Sequence, residues 1–359
     1  MCKYGLIGSG MMGQEHIRNI ALFEHAFVEA IFEPDAGMLA RSLALAPEAK
    51  IASSLDVLLE NPDIDCLLVT SPNFLHAGQL AQIAAKRPLP VLMEKPLFTN
   101  PLDVPVIEAL IRDYPAPVWV AMEYRYMPPI ARLIEQADAV TGGIKMLTLR
   151  EHRFPFLKKV NDWNRFNKYS GGTLVEKCCH FFDLMRLILK DEPVRIMASA
   201  GQSVNHLDEY YDGQVPDIWD NGYVIVDFAK GARAMLELCM FAEGSRFQEE
   251  ISAVGPEGKI ECFVPGPGRF WTGDDPAPVP QLVVSPRHCK APVVTELPVD
   301  PELLHAGDHN GATYYQHKKF QEVVRGLALP EVTLSDGARA VAMGLAAQES
   351  ARTGQAVLL

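Results

Sequence analysis

The stretch Tyr4-Gly5-Leu6-Ile7-Gly8-Ser9-Gly10-Met11-Met12-Gly13 decides how the N-terminal part of this chain folds. Its apolar start is typical of a short buried strand, the three spaced glycines form a G-x-G-x-x-G pattern, and residues 14–23 continue as a helix. Such glycines permit a tight turn, let backbone approach a pyrophosphate and let the helix pack on the strand. The helix N-terminus adds N–H groups for the anion. We therefore expect Gly8, Gly10, Met11, Met12 and Gly13 to contact a dinucleotide.

A second strand pattern, residues 27–32, ends at Glu33, which lies 20 residues beyond Gly13 (33 minus 13). A carboxylate at this place can accept hydrogen bonds from an adenosine ribose and repels a 2′-phosphate. Glu33 therefore favours NAD over NADP. Arg41 is close enough in sequence to keep NADP as an alternative, and an ordinary turn acid in Glu33-Pro34-Asp35 is the structural alternative.

The alternation of strands and helices continues to residue 122, which predicts a parallel sheet in a domain over residues 1–122. One buried strand runs over residues 66–70 and leads into Ser71-Pro72-Asn73, and another, residues 90–93, stops at Glu94-Lys95-Pro96. Ligands of parallel sheets bind at the carboxyl ends of the strands. We therefore expect one crevice to be lined by Thr70, Pro72, Asn73, Glu94 and Lys95.

From residue 123 the pattern changes to a series of alternating segments, which we interpret as strands without intervening helices. These segments are residues 144–153, 194–203, 222–228, 232–241 and 247–254. They predict a second domain, residues 123–334, with an open and largely antiparallel sheet. Lys230-Gly231 and Glu257-Gly258 are expected hairpin turns, and residues 264–301 are expected to form a long loop that contains strands of unassigned position. A terminal segment, residues 335–359, is expected to contain a helix that Ser335 caps and Gly354 ends.

The run Gly171-Gly172-Thr173-Leu174-Val175-Glu176-Lys177-Cys178-Cys179-His180-Phe181-Phe182-Asp183 places an acid and an imidazole four residues apart after a double glycine. In one continuous helix, Glu176 and His180 would share a face, with Asp183 one turn further along. This arrangement is a candidate acid–base site. An amphipathic helix with solvated polar residues is the structural alternative.

Composition limits the class of protein. A chain of 359 residues is long for one core, and its 48% hydrophobic and 22% charged residues are typical of a globular protein. The net charge of -12 and the lack of a Lys/Arg block argue against a general nucleic-acid binder. No apolar run reaches membrane length and the first residues lack a signal-peptide pattern, so we expect a cytoplasmic protein without a membrane anchor.

Seven cysteines, at positions 2, 66, 178, 179, 239, 262 and 289, form no C-x-x-C pair. An odd, scattered set predicts neither a disulfide framework nor a zinc ribbon. A zinc site built from Glu176, Cys178, Cys179 and His180 is disfavoured because adjacent cysteines on a helix point in different directions. We expect reduced thiols and no metal.

The motifs together resemble those of the Gfo/Idh/MocA family of nicotinamide-dependent sugar and polyol oxidoreductases. The resemblance covers nearly the whole chain and rests on the glycine turn, Thr70-x-Pro72-Asn73 with His76, Glu94-Lys95-Pro96, and the double glycine with Glu176 and His180. It implies a Rossmann domain, an α/β domain whose open sheet often forms homodimers or homotetramers, and a cofactor contact from His76. It also implies that Lys95, Glu176 and His180 face the nicotinamide. Glu176 stands where an aspartate is more usual, and Lys177-Cys178-Cys179 replaces smaller residues.

Oxidation of a secondary alcohol needs a base within hydrogen-bond reach of the hydroxyl. His180 is the expected base because its ordinary pKa is near neutrality. We assign Glu176 to orienting the imidazole or gripping a neighbouring hydroxyl, and Lys95 to polarising the reacting oxygen. Arg125, Arg153, Trp163, Asp183 and His309 are candidate sugar contacts, each with a structural role as its alternative.

The expected function is an NAD-dependent dehydrogenase of a cyclic polyol, sugar or glycoside. Two alternatives remain open. A glycosidase can use bound NAD for transient ring oxidation, and a non-enzymatic nucleotide sensor can use the same fold. Retention of both Lys95 and His180 argues against the sensor, which has no use for a proton-transfer pair.

Overall fold

The computed structural model describes residues 1–271, 277–288 and 291–359. Spatial proximity divides the chain into two compact units that interleave along the sequence. The first contains Met1–Glu123, Lys158–Gly171 and Thr313–Val341, and the second contains Tyr124–Leu157, Gly172–Ala312 and Ala342–Leu359. The linear boundaries expected at residues 122 and 334 stay a prediction. Cys289 lies outside the described residues.

The first unit is built on a six-stranded parallel sheet with helices along its connections. Its elements up to residue 120 are β1 (Cys2–Ile7), α1 (Met11–Ile20), β2 (Ala26–Phe32), α2 (Ala36–Leu45), β3 (Lys50–Ile51), α3 (Leu55–Glu60), β4 (Cys66–Val69), α4 (His76–Lys86), β5 (Val91–Met93), α5 (Val104–Asp113) and β6 (Val118–Val120). The strand order is β3-β2-β1-β4-β5-β6, and every pairing is parallel. This is the Rossmann topology, which confirms the predicted fold of this part.

The central strands are buried on both faces, as parallel sheets covered by helices require. All four residues of β4 are completely buried, and so are Leu6 and Ile7 of β1. The chain order reverses between β1 and β4, and the ends of these two strands are Ile7 and Val69. Gly8 and Thr70 therefore follow the two strands at the switch point where dinucleotides bind in this fold.

The remaining elements follow along the chain, most of them in the second unit. They are α6 (Pro128–Thr141), β7 (Met146–His152), α7 (Asn167–Ser170), α8 (Thr173–Glu176), α9 (Cys179–Leu189), β8 (Pro193–Gly201), β9 (Asn221–Phe228), β10 (Arg233–Cys239), β11 (Glu249–Val254), β12 (Gly258–Val264), β13 (Gln281–Pro286), β14 (Val293–Glu296), α10 (Pro301–Ala306), α11 (Ala312–Val324), α12 (Leu334–Thr353) and β15 (Val357–Leu358).

The second unit contains a nine-stranded sheet in the order β14-β13-β12-β11-β7-β10-β9-β8-β15. Its pairings are antiparallel except β7 with β10, so the predicted open, largely antiparallel sheet is confirmed. Strict alternation of buried and accessible residues along β7, β11 and β12 gives the sheet one covered face. Helix α6 packs on that face against β11, β12 and β13.

The interpretation of strands without intervening helices is wrong. Helix α6 precedes β7, and α9 lies between β7 and β8. The sequence of α6 carries ordinary helix signals: a proline at its first position, buried Ile130 and Leu133 on one face, and Gly142 with φ 68° after its last residue. These signals match known start and stop preferences of helices. The strand-like pattern of the neighbouring segments led to the wrong prediction despite these signals.

One further expectation needs correction. Ser335 lies inside α12, and Thr333 is its cap: Thr333 Oγ1 accepts the Asp336 N–H at 3.2 Å, and Asp336 Oδ2 accepts the Thr333 N–H at 2.9 Å. Gly354, with φ 69°, does end the helix. The strands expected at unassigned positions within residues 264–301 are β13 and β14, while residues 272–276 and 289–290 lie outside the described part. Among the described helices, none has the length and apolar character of a membrane span.

Candidate active site

The glycine turn of the first unit is held by contacts that exclude side chains. Gly8 has φ 78°, and a Cβ on it would lie 2.6 Å from the Ser71 Cα. Thr70 Oγ1 donates to the Gly8 carbonyl at 2.5 Å, and a Cβ on Gly13 would lie 2.7 Å from that same Oγ1. Glycine is therefore required at both ends of the motif, because the two strand ends and helix α1 approach one another at backbone distance.

Gly10 serves a different purpose. A Cβ on Gly10 would meet no atom within 4 Å, so open space lies beside the start of α1. The first hydrogen bond closing this helix runs from Gln14 N to Gly10 O at 2.9 Å, which leaves the amides of Met11, Met12 and Gly13 as N-terminal donors. A helix start with these donors and without a side-chain cap suits a phosphate.

Two buried polar atoms near the turn lack a hydrogen-bond partner among the described residues. They are Ser9 Oγ and Asn73 Nδ2, on residues that are 0% and 5% exposed. Buried polar groups are normally satisfied, so an unsatisfied pair beside an open helix start indicates a polar ligand. The residues present therefore fit a nicotinamide dinucleotide. Pro72 begins the short 3-10 turn Asn73–Leu75 that presents Asn73.

Glu33 is bound to the backbone of the turn by both carboxylate oxygens. Its Oε2 accepts the Ser9 N–H at 2.6 Å, and its Oε1 accepts the Asp35 N–H at 2.9 Å. The carboxylate is thus oriented directly after β2, beside the glycine turn. A negative charge at this position opposes a 2′-phosphate on the adenosine ribose.

The Glu94-Lys95 motif at the end of β5 is supported from within the first unit. Glu94 Oε1 lies 3.0 Å from His16 Nε2, and Oε2 accepts the Lys95 N–H at 3.2 Å. Burial alone would raise the pKa of the Glu94 carboxyl, but the hydrogen bond and charge of His16 hold that pKa below its ordinary value. Glu94 is therefore a fixed anion next to Lys95.

His76 binds two backbone carbonyls of neighbouring segments. Its Nδ1 lies 2.7 Å from Pro96 O and its Nε2 lies 3.0 Å from Ser71 O. Burial lowers the pKa of His76, although both carbonyls oppose that shift. The ring thus connects the loop after β4 with the loop after β5. This contact gives His76 a structural function, and its cofactor contact stays a prediction.

The double glycine precedes the candidate acid and base, which belong to the second unit. Gly171 and Gly172 have φ 82° and 84°, a conformation that side chains disfavour. The run after Gly172 is helical in two segments: α8 ends at Glu176, and α9 begins at Cys179. At the junction, the Cys178 N–H donates to the Thr173 carbonyl at 3.4 Å. This acceptor lies five residues earlier, whereas the acceptor in a regular α-helix lies four residues earlier. Glu176 and His180, 3% and 2% exposed, thus lie on two successive short helices.

The His180 imidazole lies flat against the ring of Tyr124. The ring centroids are 4.1 Å apart and the planes differ by 5°. Tyr124 also contacts Phe181 edge to face at 5.7 Å, and its own side chain is buried. One face of the imidazole is therefore covered by an aromatic ring.

The Tyr124 hydroxyl belongs to a buried charged cluster. Lys177 Nζ donates a short hydrogen bond to Tyr124 Oη and lies 2.8 Å from Glu151 Oε1. Tyr124 Oη itself donates to Glu151 Oε1 at 3.3 Å, and Arg153 Nη1 lies 3.5 Å from the same oxygen. Glu249 is the cross-strand neighbour of Glu151. Burial, together with the charge of Glu151, raises the pKa of Glu249 to about 7.

Arg125 and Asp183, both expected to contact a sugar, bind each other. Arg125 Nε donates to Asp183 Oδ2 and Nη2 donates to Asp183 Oδ1, each at 2.5 Å. Their side chains are 9% and 0% exposed. This bidentate pair ties the turn that starts the second unit to helix α9. A substrate contact of either residue stays a prediction.

The other expected sugar contacts are distributed over both units. Trp163 belongs to the first unit, where it meets Phe74 edge to face at 6.2 Å and lies under Lys159 Nζ at 4.5 Å. His309 belongs to the second unit, with its ring centroid 6.2 Å from that of Tyr124. Arg153 stacks on the ring of Phe154 at 4.3 Å.

Sequence reasoning missed Tyr124, Glu151 and Lys177 as neighbours of the candidate base. A signal for Glu151 exists, because the period of two along β7 places it on the covered face with Leu147 and Leu149. An acid on that face needs a buried cation. Lys177, a cation within the helical run that contains Glu176 and His180, was an available partner in the sequence.

The fold and these sites define a protein with a dinucleotide-binding Rossmann domain and a C-terminal α/β domain. Residues 2–122 match the NAD-binding Rossmann fold of an oxidoreductase family, and residues 135–359 match the C-terminal alpha/beta domain of the same family. The chain belongs to the Gfo/Idh/MocA family.

Individual relatives are distant. An uncharacterized oxidoreductase of Bacillus subtilis, YrbE, is 27% identical over 237 residues, which are 65% of this chain and 65% of that protein. The chain thus spans slightly less than two thirds of that relative. The myo-inositol 2-dehydrogenase of Thermotoga maritima is 25% identical over 261 residues, 72% of this chain and 74% of that enzyme.

Among solved structures, a levoglucosan dehydrogenase in complex with NADH and levoglucosan superimposes with a TM-score of 0.80. The match covers 99% of both chains at 21% sequence identity. At this identity, the likeness shows a shared fold.

Proposed function

We propose that the protein transfers a hydride between NAD and a secondary hydroxyl of a cyclic polyol, sugar or glycoside. The observation that carries this proposal is the pairing of two features in one chain. The first unit has an open, anion-binding helix start beside a fixed Glu33 carboxylate. The second has a buried His180 imidazole with one face covered, on the helix that follows the Glu176 acid.

In this proposal, Gly8, Gly10, Met11, Met12 and Gly13 hold the pyrophosphate, and Thr70, Pro72, Asn73 and His76 line the same crevice. Glu33 binds the ribose hydroxyls of the adenosine, which makes NAD the cofactor in preference to NADP. The bound nicotinamide supplies the hydride chemistry. Glu94 holds the backbone N–H of Lys95 and balances its charge.

His180 takes the proton of the reacting hydroxyl, because a base must be within hydrogen-bond reach of that oxygen. Glu176 orients the imidazole or binds a neighbouring hydroxyl of the substrate, and Lys95 polarises the reacting oxygen. Arg125, Arg153, Trp163, Asp183 and His309 are proposed to surround the substrate. The relatives named as myo-inositol and levoglucosan dehydrogenases support a ring-shaped polyhydroxylated substrate.

The test is a spectrophotometric screen of the purified protein with NAD and NADP against inositols, aldoses, sugar acids and alkyl or aryl glycosides. We expect reduced nicotinamide with one substrate class. His180→Ala and Lys95→Ala should each lower kcat about 100-fold or more, since acid–base groups contribute that much or more, while NAD affinity is retained in His180→Ala.

If no compound of the panel yields reduced nicotinamide, the proposed dehydrogenase activity is contradicted. Glycoside cleavage without net NADH would then identify a redox glycosidase. Nucleotide binding without either reaction would identify a sensor.

We also propose that the protein is a cytoplasmic homodimer or homotetramer that associates through the outer face of its nine-stranded sheet. Met197 lies opposite Ile225 in the β8–β9 register, and both, with Tyr223, are exposed on that face. A contiguous exposed apolar patch of this kind favours association. Light scattering after gel filtration measures the mass, and Tyr223→Lys with Ile225→Lys should yield the monomer. A monomeric wild-type protein would contradict this proposal.

A further inference from the structure

The candidate base is supported by a residue outside the motifs that identify the family. We propose that Tyr124 is a positioning residue that holds the His180 imidazole in its reacting orientation, with Lys177 and Glu151 anchoring the phenol. This inference rests on the proposed function, because it concerns the orientation of the proposed base.

The stacked geometry restricts rotation of the imidazole. A ring 4.1 Å from its neighbour and only 5° from parallel cannot turn about its χ2 angle without striking the Tyr124 ring. The contact therefore selects one ring plane for His180.

Stacking can position a base only if the supporting ring is itself fixed, and Tyr124 is fixed at two places. Its hydroxyl accepts from Lys177 Nζ and donates to Glu151 Oε1 at 3.3 Å. Its ring meets the edge of Phe181, the residue after His180, at 5.7 Å. A ring held at its hydroxyl and by this edge-to-face contact has little freedom to slide.

The anchor is a buried ion pair on rigid elements. Lys177 and Glu151 have side-chain exposures of 5% and 0%, and their charged atoms are 2.8 Å apart. Glu151 lies in β7, in the middle of the nine-stranded sheet, whereas Lys177 occupies the junction between α8 and α9. A buried ion pair fixes the relative positions of its two residues, whereas its net contribution to stability is often small. Lys177 is thus one of the two residues that separate α8 from α9.

The test separates the ring from its hydroxyl. Tyr124→Phe keeps the stack and removes the anchor, whereas Tyr124→Leu removes the stack. Tyr210→Leu, at a tyrosine 71% exposed, is the matched control. Lys177→Met removes the ammonium from a side chain of similar length. Each variant is compared for kcat, for KM and for NAD affinity in the full-length protein.

A second readout needs no substrate. In protein with 13C-labelled histidine, the ring C–H signals of His180 are assigned by their loss in His180→Ala. Protons above an aromatic face are shielded, so we expect these signals upfield in the wild type, in Tyr124→Phe and in the control. In Tyr124→Leu they should move to the positions of an unstacked histidine.

We expect Tyr124→Leu to lower kcat about 100-fold with NAD affinity retained, as misplacement of a reacting group by about 1 Å does. Tyr124→Phe should keep most of the activity, and Lys177→Met should lie between the two. The inference is overturned if the His180 signals in Tyr124→Leu stay upfield, or if the Phe and Leu variants lose equal activity. If the wild type oxidises nothing, the proposed function fails, while the histidine signals still decide whether Tyr124 positions His180.

Discussion

The backbone N–H of Ser9 donates to the carboxylate of Glu33 at 2.6 Å, and this contact ties the charge after β2 to the glycine turn. The acid is thereby held where the ribose of a dinucleotide binds in this fold. Two backbone donors, Ser9 N–H and Asp35 N–H, fix the orientation of this carboxylate in the folded turn.

Replacement of Glu33 should therefore change cofactor discrimination. We expect Glu33→Ser, combined with Asp35→Arg, to shift the ratio of the NADP and NAD dissociation constants about tenfold or more toward NADP, since about 1.4 kcal/mol suffices for that factor. Titration of cofactor fluorescence measures both constants. Asp56→Ser, an acid on the exposed side of α3, is the control. An unchanged ratio would show that Glu33 does not face the ribose.

The Arg125–Asp183 pair should be sensitive to the loss of one partner because it is almost completely buried. Asp183→Asn leaves the guanidinium without its anion, and loss of one partner of a buried pair costs about 3–5 kcal/mol. The joint replacement Arg125→Met with Asp183→Leu removes both charges and should cost less. Urea unfolding compares the three proteins. A double variant less stable than Asp183→Asn would contradict this account.

Glu249 should make the stability of the protein depend on pH. Its pKa is about 7 in the folded protein against 4.5 for an ordinary glutamate, because burial and Glu151 disfavour its charge. The folded state thus holds a proton that the unfolded state releases between pH 4.5 and 7. The free energy of unfolding therefore has its full value below that window and decreases as the pH rises through it. For a shift of this size, the decrease is up to about 3 kcal/mol. Lys177 and Arg153 on the neighbouring elements limit the loss.

Glu249→Gln removes this titration. We expect the free energy of unfolding of the variant, relative to the wild type, to increase between pH 5 and pH 8 in urea titrations. Glu250→Gln on the same strand is the control, since that carboxylate points to the accessible face and pairs with Arg150. An equal pH dependence in all three proteins would refute the assignment.

Gly344 of α12 should be intolerant of a methyl group. A Cβ there would lie 2.6 Å from the Leu174 carbonyl and 3.0 Å from the Val175 Cα, so Gly344→Ala pushes α8 away together with Glu176. Such overpacking costs about 1–3 kcal/mol. We expect a lower unfolding midpoint and a lower kcat.

The same substitution at Gly78 is the matched control. Gly78 lies in α4, where a Cβ would meet nothing within 4 Å, and Ala stabilises a helix by about 0.5–1 kcal/mol relative to Gly. A Gly344→Ala protein as stable as Gly78→Ala would show that α8 and α12 do not pack closely.

Local patterns in the sequence predicted a large part of the fold. The turn from Gly8 to Gly13, the strand ends at Thr70 and Glu94, and the alternation along β7 and β11 each depend on backbone geometry and side-chain period within a few residues. The Rossmann domain and the antiparallel sheet could therefore be predicted. Helix α6 and strands β13 and β14 could not be separated from their surroundings, because short elements give weak local signals.

The tertiary structure alone decided which buried charges meet. The sequence by itself determined the residue types of the candidate site, such as Lys95, Glu176 and His180, and their order along the chain. It could not show that Lys177 turns inward to Glu151, 26 residues earlier (177 minus 151), or that Tyr124 lies flat on His180. The partner of a buried charge depends on how distant segments pack. A buried charge without a partner is strongly unfavourable, so the side chain adopts a conformation that reaches an opposite charge.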